Sequence, residues 1–452
     1  MTTVTLVYPY FQPSGDNSIF RFPPLGLGYI VAYLRSHGVS AELVDCTFMG
    51  QEEAVEKIRA ANPKIIGIQA MFSMKDKVLE LARILRNNCE FLVAGGPLAT
   101  SNPEEFTHLF DVVVVGEGEQ TMLELVQAIE KHSSFNDVRG VAFKEETKVT
   151  VTPPRSYIEN LDTIPFPTRE LFDNQAYKNY YSRNFAYNTT AVITSRGCPF
   201  QCDFCSRPIF GNTLRSRTAE NIVKEVEEVK QLGYERVWFA DDCFTLNRRR
   251  LIEICRELAL RKVNIGWECL SRVDTVDLSL AEHMRRAGCV RVFFGIESGN
   301  DMILKIMKKQ ATVKQAEKAV HIFKKAGIQV GAFFILGYPG ENEEAILDTV
   351  NFASSLPLDY LSFTFPYPIP GTPLFDRVKN LMVSKEWVEP KKFSLIKHKL
   401  LFRSPFSENK LRFALFKGMS QHYMRKCLGE RISRILGKPY TSITDAVFKI
   451  LK

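Results

Sequence analysis

The sequence predicts an α/β protein built from two successive β/α systems and a mostly helical C-terminal region. The first system reads as a flavodoxin-like, doubly wound (Rossmann-like) domain, and the second as a partial (β/α)6 barrel of the TIM type. Three observations predict this. Five short apolar strands alternate with helical stretches through the first ~135 of the 452 residues, the pattern of a parallel sheet covered by helices. Further strand–helix units follow between residues 190 and 365. Basic charge then accumulates: 15 of the 59 Lys and Arg but only three of the 51 acids lie in 391–452, so 1–390 is slightly acidic and the overall +8 belongs to the C-terminal region.

In the first system the strands fall at 4–8, 41–44, 65–69, 91–94 and 112–115, with helical patterns at 26–36, 52–61, 75–87 and 120–131. Residues 138–143 and 148–151 read as a small hairpin, and 160–167 as a linker. Second-system strands are expected at 190–194, 236–240, 265–269, 290–296, 329–336 and 360–365, with helices at 219–232, 278–287 and 313–326. The domain boundaries that follow are 1–137, a hairpin and linker at 138–185, the partial barrel at 186–378 and the basic, mostly helical region at 379–452.

A hydrophobic share of 45% with 24% charged residues marks a globular chain. No basic segment followed by an apolar core opens the sequence, and the longest apolar stretch, 330–336, falls far short of the roughly 20 residues a spanning helix needs. A cytoplasmic protein is expected. Ten cysteines in that reducing compartment do not make a disulfide framework.

The chemistry concentrates at strand ends. In a doubly wound sheet the ligand sits beyond the carboxyl ends of the strands. Leu25-Gly26, Gly95-Gly96-Pro97 and Gly116-Glu117-Gly118-Glu119 all lie at that edge, where glycine lets backbone approach a bulky ligand. After the first strand of the second system comes Cys198-Pro-Phe-Gln-Cys202-Asp-Phe-Cys205. Thiolates at these gaps wrap one compact metal centre, and cysteine is the usual ligand of iron–sulfur clusters. Structural zinc wants four protein ligands, and neither a histidine nor a fourth cysteine lies close in sequence. Three cysteines on a [4Fe–4S] cluster leave one iron open.

This motif, with Phe204 before its last cysteine, resembles the radical S-adenosylmethionine (SAM) superfamily over about 191–375. The resemblance implies that the open iron chelates the amino and carboxylate groups of SAM, and that an electron from the cluster breaks the C5′–S bond to give a 5′-deoxyadenosyl radical. It also implies SAM contacts at Phe204, at Glu297 and Ser298 in Gly295-Ile-Glu-Ser, and at Gly337 and Pro339 in Gly337-Tyr-Pro-Gly-Glu341. Arg272 either pairs with the methionine carboxylate or makes an ion pair with Asp274. Asp241, Asp242 and Cys243 close the second strand at the active-site end and are the catalytic candidates, the alternatives being capping for the acids and packing for the thiol. Cys46, Cys89, Cys255, Cys269, Cys289 and Cys427 read as core or incidental.

The glycine loops, taken together with the Asp162-Thr-Ile-Pro-Phe-Pro167 linker, resemble the cobalamin-binding domain fused to many radical SAM enzymes. By that resemblance Leu25, Gly26, Gln69, Gly95, Gly96, Pro97, Gly116, Glu117, Gly118 and Glu119 bind cobalamin. The usual Asp-x-His-x-x-Gly loop is missing: Pro9-Tyr-Phe-Gln-Pro13 stands in its place, and Asp45-Cys-Thr-Phe-Met-Gly50 mimics its spacing but has Thr47 at the histidine position. None of His37, His108, His132, His283, His321, His398 and His422 lies in these loops, so a cobalt without a histidine lower ligand is expected. Gln69, Ala70 or Met71, after the third strand, is expected beneath the corrin, Gln69 first among them.

Residues 363–375 either line a substrate entrance or redirect the chain. The basic tail is open to three readings: a solvated face, an amphipathic helix at 410–428 on an anionic membrane, or a nucleic-acid contact for which no RNA-binding module is present; a lid over the barrel mouth is compatible with any of them. The expected activity is a cobalamin-dependent radical SAM methyltransferase, in which one SAM methylates cobalamin and a second yields the radical that activates an unactivated carbon of a small-molecule, lipid or tetrapyrrole substrate. The alternatives are a non-methylating oxidative cyclase or ring-rearranging enzyme, and a cofactor-bearing sensor without turnover. An electron donor such as flavodoxin or ferredoxin, no nucleic-acid partner and a monomeric state complete the expectations.

Overall fold

Buried parallel strands must be apolar on both faces, and the strands of the computed structural model are. The structure describes residues 3–12, 15–205, 209–383 and 399–451, with the backbone alone at 429–438. Pro13, His398 and the lysines of 391–398 lie outside the described residues. Two compact units account for the chain: 1–199 with 206–240, and 200–205 with 241–452.

In the first unit, β1 (Val4–Tyr8), α1 (Leu25–Ser36), β2 (Ala41–Asp45), α2 (Gln51–Ala61), β3 (Ile65–Gln69), α3 (Lys75–Leu85), β4 (Phe91–Gly95), α4 (Pro97–Ser101), β5 (Val112–Val114) and α5 (Gly118–Glu130) alternate as expected. Their strand order, β2-β1-β3-β4-β5, is flavodoxin-like and parallel throughout. The hairpin β6 (Val141–Glu145) and β7 (Lys148–Val151) extends the same sheet, β6 running antiparallel to β5. Side chains alternate between faces: Val7, Ile66, Leu92 and Val113 enter a core with α2 and α3, whereas Leu6, Gly67, Val93 and Val114 face a cavity that α1 and α5 also line.

The stretch read as hairpin and linker also holds a helix, α6 (Asn174–Phe185), capped by Asp173. Its Tyr177 hydroxyl donates to Asp45 Oδ2 at 2.7 Å and Thr47 Oγ1 at 3.0 Å. Tyr180 and Tyr181 donate to the Ser18 and Ile19 carbonyls. The Asp45–Gly50 loop that mimics a cobalt-ligating spacing therefore has two of its polar side chains bonded to α6. β8 (Thr189–Val192), β9 (Ser195–Arg196), β10 (Arg215–Ser216), α7 (Ala219–Gln231) and β11 (Arg236–Phe239) complete this unit, β8 pairing with β11 in parallel and β9 with β10 antiparallel.

The second unit continues with α8 (Arg248–Leu260), β12 (Gly266–Ser271), α9 (Leu278–Arg286), β13 (Cys289–Glu297), α10 (Asp301–Ile306), α11 (Val313–Lys325), β14 (Gln329–Ile335), α12 (Glu343–Ser355), β15 (Tyr360–Thr364), α13 (Pro373–Val378) and α14 (Glu408–Ile450). β12 to β15 pair in parallel, in sequence order. With β8 and β11 they are the six βα strands expected of a partial TIM-type barrel, and the predicted fold class holds.

α14 spans 43 residues, yet Ser420 meets Tyr440 at 2.5 Å, Gln421 meets Thr441 at 2.7 Å and Lys417 meets Asp445 at 3.0 Å. A straight helix would hold residues 20 positions apart about 30 Å from each other, so its two arms lie antiparallel. The first arm buries Leu411, Ala414 and Leu415 and packs on α12. No described helix is long and apolar enough to cross a membrane.

Candidate functional site

The cavity of the first unit exists because small residues stand where the strands end. A Cβ on Gly67 would sit 2.6 Å from Leu6 Cδ2, and one on Gly118 2.6 Å from Ile30 Cδ1. Gly96 opens α4 with φ +95°, a conformation suited to glycine, and a Cβ there would meet Gln69 Cγ and the Ala70 carbonyl at 3.0 and 3.1 Å. The cavity, about 280 Å³, is lined by Gly26, Gln69, Gly95, Gly96, Pro97, Gly116, Glu117, Gly118 and Glu119. Leu25 is not among its walls; it is buried in the first turn of α1. Gln69 Nε2 lies 3.6 Å from Met71 Sδ, while its Oε1 is buried with no hydrogen-bond partner among the described residues. A buried carbonyl left bare costs about 1–3 kcal/mol. An amide-bearing ligand such as cobalamin fits a cavity that is otherwise apolar and offers one unmet acceptor.

Sequence reasoning missed the residues that fix the Gly116–Glu119 loop. Arg196 of β9 donates from Nη1 to Glu117 Oε1 at 3.0 Å and from Nη2 to Glu119 Oε1 at 2.5 Å. Arg215 of β10 holds both Glu117 oxygens at 2.8 and 3.1 Å, and the Ile158 N–H donates to Glu117 Oε2 at 2.8 Å. All four charged side chains are buried. Burial alone would weaken the Arg196 charge, but Glu119 and Glu117 more than offset it and hold the guanidinium protonated. The Glu117 and Glu119 carboxylates thus bind Arg196, two residues ahead of Cys198, while their own loop lines the cavity.

Gly197 makes the turn into the cysteine loop at φ +84°; a Cβ there would lie 2.4 Å from the Thr213 carbonyl. Cys198 is buried and donates its N–H to the Gly211 carbonyl at 3.3 Å. Cys202 and Cys205 are half-buried, and none of the ten cysteines forms a disulfide. Among the described residues no three His, Cys, Asp or Glu side chains converge as a single metal ion would require. A cubane differs, since it places each thiolate on its own iron, and three thiols of this spacing are the donor set it takes. Asp203, between the last two cysteines, is buried and accepts hydrogen bonds from Tyr338 and Arg377. Its N–H donates to the Met307 carbonyl at 3.1 Å, and Phe204 packs edge-on to Tyr338 at 6.2 Å between centroids. This aspartate, unremarked in the sequence, ties the loop to the Gly337–Glu341 turn.

The strand ends of the second unit carry the other residues expected at SAM. A register shift between Gly295 and Glu297, with Glu297 at φ +71°, redirects the end of β13. Such a conformation is costly for a residue other than glycine and clusters at ligand sites. Glu297 Oε1 meets Lys309 Nζ at 2.9 Å, and a Cβ on Gly295 would collide with both groups. Ser298 bonds to Thr349 Oγ1 at 3.0 Å and accepts from the Asn300 N–H, so its hydroxyl shapes the backbone. Arg272 grips Asp274 at 2.9 and 2.8 Å. At the turn after β14, Glu341 Oε2 accepts from the Gly337 and Tyr338 N–H groups at 2.6 and 2.8 Å, while its buried Oε1 has no partner among the described residues. Pro339 lies within this turn, and Leu411 of α14 packs against Gly337.

Burial pushes the Glu341 carboxyl up to about 8, against the opposing pull of the two backbone donors. The folded state then binds a proton that the unfolded state has released, so this group's stabilisation is present at low pH and is lost as pH rises from about 4.5 towards 8. The expected loss is up to about 1.4 kcal/mol per pH unit across that window. Glu341→Gln removes the titration; urea unfolding at several pH values should show a shallower dependence in the variant.

Asp241, Asp242 and Cys243 follow β11. Asp241 is buried and accepts from Arg250 Nη2 at 3.4 Å. Cys243 is buried 3.6 Å from Thr245 Oγ1, and burial holds its thiol protonated. Asp242 alone is exposed. Desolvation and the adjacent Asp241 raise its carboxyl above the usual range.

Two family models match the chain: the radical SAM superfamily over 192–353 and the B12 binding domain over 15–126. An uncharacterized methyltransferase of Pyrococcus horikoshii is 36% identical over 378 residues, covering 81% of each chain. An anaerobic magnesium-protoporphyrin IX monomethyl ester cyclase of Cereibacter sphaeroides is 28% identical, over 96% of this chain and 74% of its own. Among solved structures, the radical SAM methyltransferase TsrM of Kitasatospora setae, with cobalamin and a [4Fe–4S] cluster bound, superimposes with a TM-score of 0.71 at 20% identity, over 84% of this chain and 75% of that one. OxsB, a cobalamin-dependent SAM radical enzyme with aqua-cobalamin bound, gives 0.76 at 19% identity, over 99% and 72%. Both likenesses concern the fold. A chain with a glycine-walled cavity offering an unmet amide oxygen, and with a Cys-x3-Cys-x2-Cys loop at Cys198–Cys205, belongs to the cobalamin-dependent radical SAM enzymes, which use a [4Fe–4S] cluster, SAM and cobalamin.

Proposed function

We propose that the protein is a methyltransferase that delivers the methyl group of methylcobalamin to an unactivated carbon of a small-molecule, lipid or tetrapyrrole substrate. The observation that carries this reading is the 36% identity, over 81% of the chain, to a protein named a methyltransferase. When bound, the cofactors supply one-electron cleavage of SAM and a transferable methyl group; the protein's residues hold and orient them. Cys198, Cys202 and Cys205 bind the cluster, and the first-unit cavity with Gln69 receives cobalamin without a histidine below cobalt. Glu297 and the Gly337–Glu341 turn bind SAM. Asp242, exposed after β11, is the carboxyl available to a substrate; Asp241 and Cys243 support the fold around it.

A second reading, an oxidative cyclase, is favoured by the relative from Cereibacter sphaeroides that aligns with 96% of this chain. The two readings predict different products. After anaerobic reconstitution and reduction, methyl transfer should release both 5′-deoxyadenosine and S-adenosylhomocysteine. Deoxyadenosine alone would favour the cyclase, and formation of neither product would exclude catalysis. The electron should come from a small carrier such as flavodoxin or ferredoxin, and the protein is taken to act as a monomer without nucleic acid. The basic α14 region (Phe416 and Ile443 exposed among its lysines and arginines) suits contact with an anionic membrane surface that would carry a lipid or tetrapyrrole substrate.

A further inference from the structure

Arg272 is committed donor by donor. A guanidinium carries five N–H groups. Nε and one Nη2 hydrogen hold the two Asp274 oxygens at 2.9 and 2.8 Å, the fork-to-fork geometry a carboxylate prefers. Nη2 also gives to the Lys309 carbonyl at 2.6 Å. Nη1 points to Cys202, with its nitrogen 3.8 Å from Sγ. The planar group lies 3.4 Å from the centroid of the Phe200 ring and is buried. A methionine carboxylate would find the bidentate edge taken by Asp274 and at most one N–H left on Nη1. Turning the guanidinium towards another carboxylate would break its stack on Phe200 and take both hydrogen bonds from the half-buried Asp274.

We infer that Arg272 is a positioning residue of the iron–sulfur cluster, giving an N–H···S hydrogen bond to the Cys202 thiolate, and that it does not bind the SAM carboxylate. The inference rests on Cys202 being a cluster ligand. Hydrogen bonds to cluster sulfurs stabilise the more negative, reduced state and so raise its potential. Lys309 belongs to the same network: its carbonyl accepts from Arg272 and its ammonium sits 2.9 Å from Glu297. The segment from Lys309 to Arg272 thus joins the carboxylate expected at the ribose to the thiolate expected on iron, by three consecutive hydrogen bonds.

The test is a redox titration of the reconstituted full-length protein, followed by electron paramagnetic resonance, in wild type, Arg272→Lys and Arg272→Gln. Arg272→Lys keeps the charge and loses the fork. Both variants should lower the midpoint potential, by about 59 mV for each tenfold loss in the one-electron reduction equilibrium, while SAM affinity stays within about threefold. An unchanged potential with SAM affinity weakened tenfold or more would overturn the inference and return Arg272 to the SAM carboxylate. If the variants hold no cluster, pulsed resonance of the reduced wild-type cluster, reconstituted in H2O and in D2O, decides: an exchangeable proton coupled to the cluster supports the hydrogen bond, and its absence overturns it. Wild-type protein that takes up no cluster would defeat the underlying ligand assignment instead, a result distinct from a loaded cluster without the proton.

Discussion

Cys198→Ala, Cys202→Ala and Cys205→Ala should each abolish 5′-deoxyadenosine formation, to the background of protein-free controls. The reason is stoichiometric. Three thiolates hold three irons of a cubane and leave the fourth for SAM, so a missing thiolate removes either the cluster or its site-differentiated iron. Iron and sulfide content and visible absorbance should fall with the activity. Cobalamin uptake should persist, because most of the cavity wall comes from β1, β3, β4, β5, α1 and α5, and the cysteines themselves are not in it. Loss of both cofactors together would mean the substitution had unfolded the first unit. Cys427→Ala is the matched control: that thiol is exposed near the end of the first arm of α14 and should leave all of these readouts unchanged.

The second large effect is expected at Arg196. Replacing it with Met leaves Glu119 buried without its partner, and leaves Glu117 to Arg215 and the Ile158 N–H. Removing one member of a buried pair typically costs about 3–5 kcal/mol. For a unit of this size that corresponds to a fall in melting temperature on the order of 10 °C. Arg196→Met combined with Glu119→Gln should recover part of the loss, since the second change removes the stranded charge, and the difference from additivity measures their coupling. A single-variant loss under about 1 kcal/mol would mean the clamp is hydrated and contributes as a surface pair does.

What was readable in the sequence follows from how far each signal reaches along the chain. Parallel strands buried on both faces are continuous apolar runs, so Val4–Tyr8 and Ile65–Gln69 were placed to the residue and the others to within one or two. The glycine loops were legible because a missing Cβ is written in the residue itself. α6 was missed because Asn174–Phe185 has few strong helix formers. Its signal was Asp173 at the cap and Tyr177, Tyr180 and Tyr181 at helical spacing, which is a weaker pattern than an aliphatic stripe. The antiparallel arms of α14 were equally hidden, since nothing in an amphipathic repeat states that Lys417 will meet Asp445.

The site residues divide in the same way. Cysteines and glycines announce themselves by type and spacing. Arg196, Asp203 and Lys309 act through partners 77, 135 and 12 positions away, and no local pattern distinguishes them from surface charges. Arg272 was singled out for its place after a strand, but the choice between Asp274 and a ligand required counting its donors in three dimensions.

The central claim, methyl transfer by a two-cofactor enzyme, is tested most directly by following the methyl group itself. Reconstituted, reduced protein would be incubated anaerobically with SAM carrying a trideuterated methyl group and a metabolite and lipid extract, and the products analysed by mass spectrometry. The account predicts a new carbon-methylated product heavier by the mass of the deuterium label, together with S-adenosylhomocysteine, and loss of both in Cys202→Ala. Turnover that consumes SAM to 5′-deoxyadenosine while no molecule of the extract acquires the label would contradict it.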